Sequence, residues 1–174
     1  MNNNPMPHRR RFIRHAALGA GVALFGVALP LTAARAAGNV DTLLLSCMDF
    51  RLMDDIERYM GDRGLRDNYD HIILAGASLG AVTDKYPAWN RTFWDHLEVA
   101  IQLHKVARLM VIDHRDCGAY KVILGADLHQ TPARETDVHA EQLRKLRDSV
   151  GQKFPALTVE LLLMDLQGKV ETIS

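Results

Sequence analysis

Two cysteines, a histidine and an acid–base pair stand in this sequence where short apolar runs end. Cys47 opens Cys47-Met48-Asp49-Phe50-Arg51, just after Thr42-Leu43-Leu44-Leu45. Cys117 closes His114-Arg115-Asp116-Cys117, just after Leu109-Met110-Val111-Ile112. Thiolate and imidazole are ligands that zinc favours. Cys47, His114 and Cys117 supply three of them and leave a fourth position for water or substrate, as in a catalytic site. The His–Cys pair three apart can fold round one ion, and Cys47 must then arrive from a neighbouring strand. Two thiolates cancel the ion's charge, so it acidifies its water less than it would among three neutral histidines. Help from neighbours is needed, and Asp49 with Arg51 is placed to give it, the guanidinium holding the carboxylate by a bidentate pair. Plainer readings stand beside these. The cysteines could form one structural disulfide, which leaves His114, Asp49 and Arg51 unexplained, and Asp49–Arg51 could be a surface salt bridge.

The elements that must position these residues follow from periodicity. Thr42 to Ser46 is too short for a helix and reads as a buried strand. Leu52 to Met60 has helical spacing and ends at Gly61. His71 to Ala75 reads as a second strand, and the small residues Gly76 to Gly80 would let the backbone pass close to something at its end. Pro87 starts a long helix, about 88–106, with Trp89, Phe93, Leu97, Ile101 and His104 on one stripe and Trp94 beside it. Arg108 to Asp113 is the third strand. Strand, long helix and strand make a right-handed crossover. Gly118 to Leu124 begins another helix, 125–136 is loop, and Val138 to Val150 is an amphipathic helix stopped by Gly151 and Pro155. Thr158 to Met164 is a fourth strand, Gln167-Gly168 a turn, and Lys169 to Ile173 a short returning edge strand. The expected fold is α/β: a mainly parallel four-stranded sheet with flanking helices and a short antiparallel C-terminal edge strand. Its crevice lies where strand tips meet, the place open α/β sheets put their sites.

With 174 residues, 48% hydrophobic and 24% charged, the chain is long enough for one globular domain with a proper core. Its formal charge of zero hides an asymmetry. Residues 1–36 hold five arginines and no acid; taking five from 21 basic residues leaves 16 against 21 acidic ones, a net of about −5. Such a domain gives no support to nucleic-acid binding. Arg9-Arg10-Arg11-Phe12-Ile13-Arg14 fits the twin-arginine pattern, followed by an apolar stretch from Ala16 to Leu29, Pro30, and the small-x-small site Ala34-Arg35-Ala36. The stretch is short of the ~20 residues that span a bilayer. Residues 1–36 therefore read as a twin-arginine signal peptide and 37–174 as the mature domain of a periplasmic protein, with a retained N-terminal anchor as the alternative. Thiolates already on zinc would be protected from pairing in an oxidising compartment.

Together the paired motifs resemble those of the β-class carbonic anhydrases, whose pattern is Cys-x-Asp-x-Arg after the first strand and His-x-x-Cys after the third. The resemblance covers about residues 41–174. It implies a carbonate dehydratase with one Zn2+ per chain on Cys47, His114 and Cys117, and with Asp49 and Arg51 catalytic. The implied reaction is the reversible hydration of carbon dioxide to bicarbonate, for which the bound zinc would supply a hydroxide. Asp49 held by Arg51 orients the nucleophile; released, it could swing onto the metal as a fourth ligand. The resemblance also implies a homodimer or higher homo-oligomer, because the family's sites lie near a subunit interface. Where the family has an Arg-Asn-Ala-Gly run, this chain has Leu74-Ala75-Gly76-Ala77, and the N-terminal arm is short, so it looks like a compact, divergent branch. That apolar segment suits a small uncharged substrate, carbon dioxide or equally carbonyl sulfide or carbon disulfide. A zinc-bearing or disulfide-bonded binding module without turnover is the rival from another class. Gly118 is expected to offer a backbone donor to substrate, and Arg115 and Asp116 to make contacts around the ligands. His104, on the apolar stripe of its helix, reads as packed rather than catalytic. His96, His129 and His139 are candidate proton shuttles, with a surface position the plainer reading of each. Trp89 and Trp94 read as core or subunit interface.

Overall fold

The structure is a computed structural model, and it describes residues 38–174. The signal segment expected at 1–36 lies outside the described residues. Among those described, no helix is long and apolar enough to cross a membrane.

The elements run β1 (Thr42–Ser46), a single 3-10 turn (Phe50–Leu52), α1 (Met53–Asp62), β2 (Tyr69–Ile73), α2 (Ser78–Val82) and α3 (Pro87–His104). Then come β3 (Arg108–His114), α4 (Gly118–Leu124), α5 (Pro132–Lys153), β4 (Thr158–Met164) and β5 (Val170–Thr172). One sheet has the order β2-β1-β3-β4-β5. The first four strands are parallel and β5 pairs antiparallel to β4 through Leu162↔Thr172 and Met164↔Val170. Chain order reverses at β1, which has β2 on one side and β3 on the other. A crevice therefore opens beyond the carboxyl ends of β1 and β3.

The apolar runs are buried on both faces, as parallel strands covered by helices require. Leu43, Leu45, Leu109, Val111 and Leu161 face one layer, with Phe93 and Leu97 of α3 and Leu143, Leu146 and Val150 of α5. Leu44, Met110, Ile112, Leu162 and Met164 face the other, where α1 supplies Ile56 and Met60. Alternation of period two along each strand sorts them.

Three elements differ from expectation. The second strand begins two residues earlier and stops at Ile73, because Leu74 to Ala77 closes a turn (Ala77 N–H to Leu74 O, 2.9 Å) with Gly76 at φ +76°. Small residues 78–82 form a buried helical turn. The last long helix starts at Pro132, where its first turn is anchored by a carboxylate rather than an apolar face: Glu135 accepts the Asp116 N–H at 2.7 Å.

Candidate metal centre

The ends of β1 and β3 deliver the predicted residues to one place. Ser46 pairs with Ile112, so Cys47 leaves β1 at the level where β3 still has Asp113 and His114 to run. After His114 the backbone turns through Asp116 at φ +55°, and Cys117 precedes α4. The ligand atoms of Cys47, His114 and Cys117 all lie within 4.8 Å of one another, and all three residues are buried. The two sulfurs are 3.8 Å apart and both cysteines are free, so the disulfide alternative does not describe this arrangement. Two sulfurs on one zinc at 2.3 Å in a tetrahedron would also be separated by about 3.8 Å. His114 Nδ1 faces the Arg115 carbonyl at 2.8 Å, and its Nε2 is buried without a protein partner. A buried nitrogen without a partner is costly, and here it is the atom turned to the sulfurs. The donor set fits a metal ion.

The electrostatics agree. The Cys47 thiol is lowered to about 4, chiefly by the hydrogen bond from Cys117; burial opposes this, while His114 and the Gly76 N–H add to it. Gly76 N donates to Cys47 Sγ at 3.3 Å. Cys117 is pushed upward, first by its hydrogen bond to Cys47 and then by burial, so one thiolate and one thiol share the site before any ion arrives. Burial pulls the His114 imidazole down, but the neighbouring Cys47 sulfur outweighs it, with the Arg115 carbonyl and Asp49 adding to the effect, and the net shift is upward.

Asp49 and Arg51 are brought to the rim. Asp49 caps the 3-10 turn, accepting the Arg51 N–H at 3.1 Å, and takes the guanidinium from Nε at 2.9 Å and Nη2 at 2.7 Å. These bonds hold its carboxyl down to about 2, against the opposing pull of burial, so at neutral pH it only accepts. Asp49 Oδ2 is 3.8 Å from His114 Nε2, beside the ligand cluster. Arg51 also donates to Asp116 Oδ2 at 2.7 Å and to the Asp116 carbonyl at 2.9 Å. The pair is thus part of a network with the loop between two ligands, more than an isolated surface bridge. Arg115 points away, to Glu135, Thr136 and Glu171.

An apolar cavity of about 570 Å3 opens beside Cys47, lined by Asp49, Ala75, Trp89, Gly118, Ala119 and Ile123 among others. Ala75, at the turn that follows β2, forms part of its wall. Trp89 lines it as well and stacks on Tyr86, with ring centres 4.1 Å apart. Trp94 lies edge-on to Phe93 in the core layer. The turn beneath the cavity is tightly built. Ala77 has φ 40° and ψ −103°, a strained conformation for a residue with a Cβ, and a Cβ at Gly80 would sit 2.3 Å from the Ala75 carbonyl oxygen.

One histidine reading needs correction. His139 is buried, 1% exposed, because it lies on the inward face of α5 and its Nδ1 meets Asp113 Oδ2 at 2.9 Å. His104 is half-buried at the end of α3, its Nδ1 2.7 Å from Asp70 Oδ2. His96 and His129 are exposed, His96 on the Thr92 carbonyl and His129 on Asp127. Sequence reasoning missed Glu135 and the buried group of Ser78, Asp113 and Tyr120 that His139 joins. Glu135 and His139 do fall in helical register with Leu143, Leu146 and Val150, and polar residues on an apolar helix face were the available signal.

Comparison with known proteins gives the site a context. A family model described as "Putative carbonic anhydrase" matches residues 38–174. An uncharacterized protein of Rickettsia conorii is 44% identical over 135 residues, 78% of this chain and 73% of that protein. One of Rickettsia bellii is 42% identical over 135 residues, 78% of this chain and 82% of its own length. Among solved structures, a β-carbonic anhydrase of the fungus Aspergillus fumigatus superposes with a TM-score of 0.50 at 16% identity, covering 79% of this chain and 76% of that one. The fold is therefore that of the β-class enzymes, and the chain belongs to this carbonic anhydrase family as a divergent member.

Proposed function

We propose that the chain is a zinc-dependent carbonic anhydrase, holding one ion on Cys47, His114 and Cys117 and interconverting carbon dioxide and bicarbonate. The observation that carries this reading is the buried cluster with its sulfurs 3.8 Å apart, beside a carboxylate pinned by Arg51. When bound, zinc supplies a Lewis acid that lets a water give up its proton near neutral pH. The chain's own groups do the rest. Asp49, an acceptor only, takes a hydrogen bond from the attacking oxygen and so sets its direction. Arg51, gripping both Asp49 oxygens, keeps the carboxylate from swinging into the ligand cluster. The apolar wall of Ala75, Ala119, Trp89 and Ile123 gives an uncharged linear molecule a dry place to wait. It offers bicarbonate no counter-charge, which favours release.

The apolar lining of that cavity supports a second reading at the same centre, hydrolysis of carbonyl sulfide or carbon disulfide, which are also small, linear and uncharged. Comparing carbon dioxide hydration with hydrogen sulfide release by one zinc-loaded sample separates the two. Asp49→Ala should abolish turnover and spare zinc. Unchanged turnover in that variant would refute the role of Asp49, and no hydration above buffer would refute the reaction and leave a zinc-bearing binding module. Phe50, Met48 and Val122, 86%, 65% and 61% exposed, ring the cavity mouth. Apolar exposure of this kind supports a homo-oligomer in which a second copy covers the mouth; light scattering on Phe50→Glu against the parent tests it. The twin-arginine pattern supports export to the periplasm, which fractionation of cells carrying Arg9→Lys/Arg10→Lys/Arg11→Lys would test.

A further inference from the structure

We propose that Asp113 is a positioning residue of the metal centre, one buried carboxylate that fixes the three backbone segments on which the ligand cluster depends. The inference rests on Cys47, His114 and Cys117 holding a metal. Asp113 is 1% exposed and lies on β3 directly before His114. Its Oδ1 accepts the Ser78 N–H at 2.9 Å. Its Oδ2 gathers Ser78 Oγ at 2.6 Å, Tyr120 OH at 2.5 Å and His139 Nδ1 at 2.9 Å. The two hydroxyls are also 3.1 Å from each other, and the Tyr120 and His139 ring centres are 3.9 Å apart.

Each partner leads to a different part of the site. Ser78 begins α2 two residues after Gly76, whose N–H donates to Cys47 Sγ at 3.3 Å. Tyr120 stands in α4, three residues after Cys117. The carboxylate itself is covalently next to His114. His139 braces the group from α5. The bonds of Asp113 run to these three side chains and the Ser78 amide, and to none of the ligand atoms, so it acts through backbone placement. Burying a carboxylate in an apolar strand is expensive, and well-packed apolar groups often serve stability as well. A carboxylate retained there with four donors makes sense as a device that selects one arrangement of the segments around it.

The test compares the parent chain with Asp113→Asn and Tyr120→Phe by two readouts that need no turnover. Zinc affinity is measured by competition with a chromophoric chelator, and ligand geometry by the visible d–d bands of the cobalt(II)-loaded chain. Asp113→Asn keeps the shape but turns an acceptor edge into a donor facing donors. It should weaken zinc by about tenfold or more, in the range seen when outer partners of metal sites are removed, and should shift the cobalt bands. Tyr120→Phe removes one donor and should move both readouts the same way by less. An Asp113→Asn chain with zinc affinity within twofold of the parent and an unchanged cobalt spectrum overturns the proposal, even if its metal-free melting temperature falls, since that is a plain structural role. Should Asp113→Asn fail to fold, Tyr120→Phe decides, and parental affinity and bands in that variant overturn the proposal. A parent that takes up neither ion refutes the metal reading and this proposal together. A parent that loads both ions but does not hydrate carbon dioxide refutes only the reaction.

Discussion

Replacing Arg51 by Lys tests how the acid beside the cluster is held. Arg51 makes four side-chain hydrogen bonds: to Asp49 Oδ1 (2.9 Å), Asp49 Oδ2 (2.7 Å), Asp116 Oδ2 (2.7 Å) and the Asp116 carbonyl (2.9 Å). They use its planar fork on two sides at once. A lysine ammonium is a single point of charge and can keep one bond to each aspartate, so two are lost. Bonds to charged groups contribute roughly 1.5–3 kcal/mol when well shielded. The Arg51 side chain is 32% exposed, and screening there reduces each to about 1 kcal/mol. The loss is then about 2 kcal/mol, or roughly thirtyfold if it falls on the orientation of Asp49 in the transition state. Stopped-flow hydration of carbon dioxide should show this drop in kcat with zinc content unchanged. A fully zinc-loaded Arg51→Lys chain at the parental rate would refute the view that the fork positions Asp49.

Two further outcomes follow from the geometry. Gly80→Ala puts a methyl 2.3 Å from the Ala75 carbonyl oxygen and 3.1 Å from Leu74 Cγ, so the turn below the cavity must shift; a loss of about 1–3 kcal/mol in denaturant unfolding is expected, and parental stability would contradict the packing described. In the metal-free chain Cys47 is lowered to about 4, so its thiolate is present above that pH and is lost as pH falls through it. Iodoacetamide should label Cys47 ahead of Cys117, with a rate nearly flat from pH 8 down to pH 6 by peptide mass spectrometry, and an inflection near the ordinary thiol value of about 8.5 would show that the pair is not coupled as described.

Much of this molecule is legible in its sequence, for identifiable reasons. The runs at β1, β3 and β4 are apolar on both faces, which only a covered parallel strand needs, and both ligand motifs follow such runs. That is enough to bring Cys47, His114 and Cys117 to one crevice. What escaped reading depends on contacts between distant polar residues. Asp113 looks like the end of a strand until Ser78, Tyr120 and His139 are seen around it. The first turn of α5 carries no apolar face, because the Glu135 carboxylate and the Asp116 amide anchor it. His104 sits on an apolar stripe by spacing, yet its place at the helix end lets it turn to Asp70. Periodicity reports burial well. It does not report which buried polar groups find each other.

The central claim is most directly tested by X-ray absorption at the zinc edge of the purified, zinc-loaded chain. Two sulfur neighbours at about 2.3 Å and a remainder of nitrogen or oxygen at about 2.0–2.1 Å are predicted, with the sulfur shell halved in Cys47→Ser. A spectrum without sulfur neighbours, or one unchanged by that substitution, would contradict it.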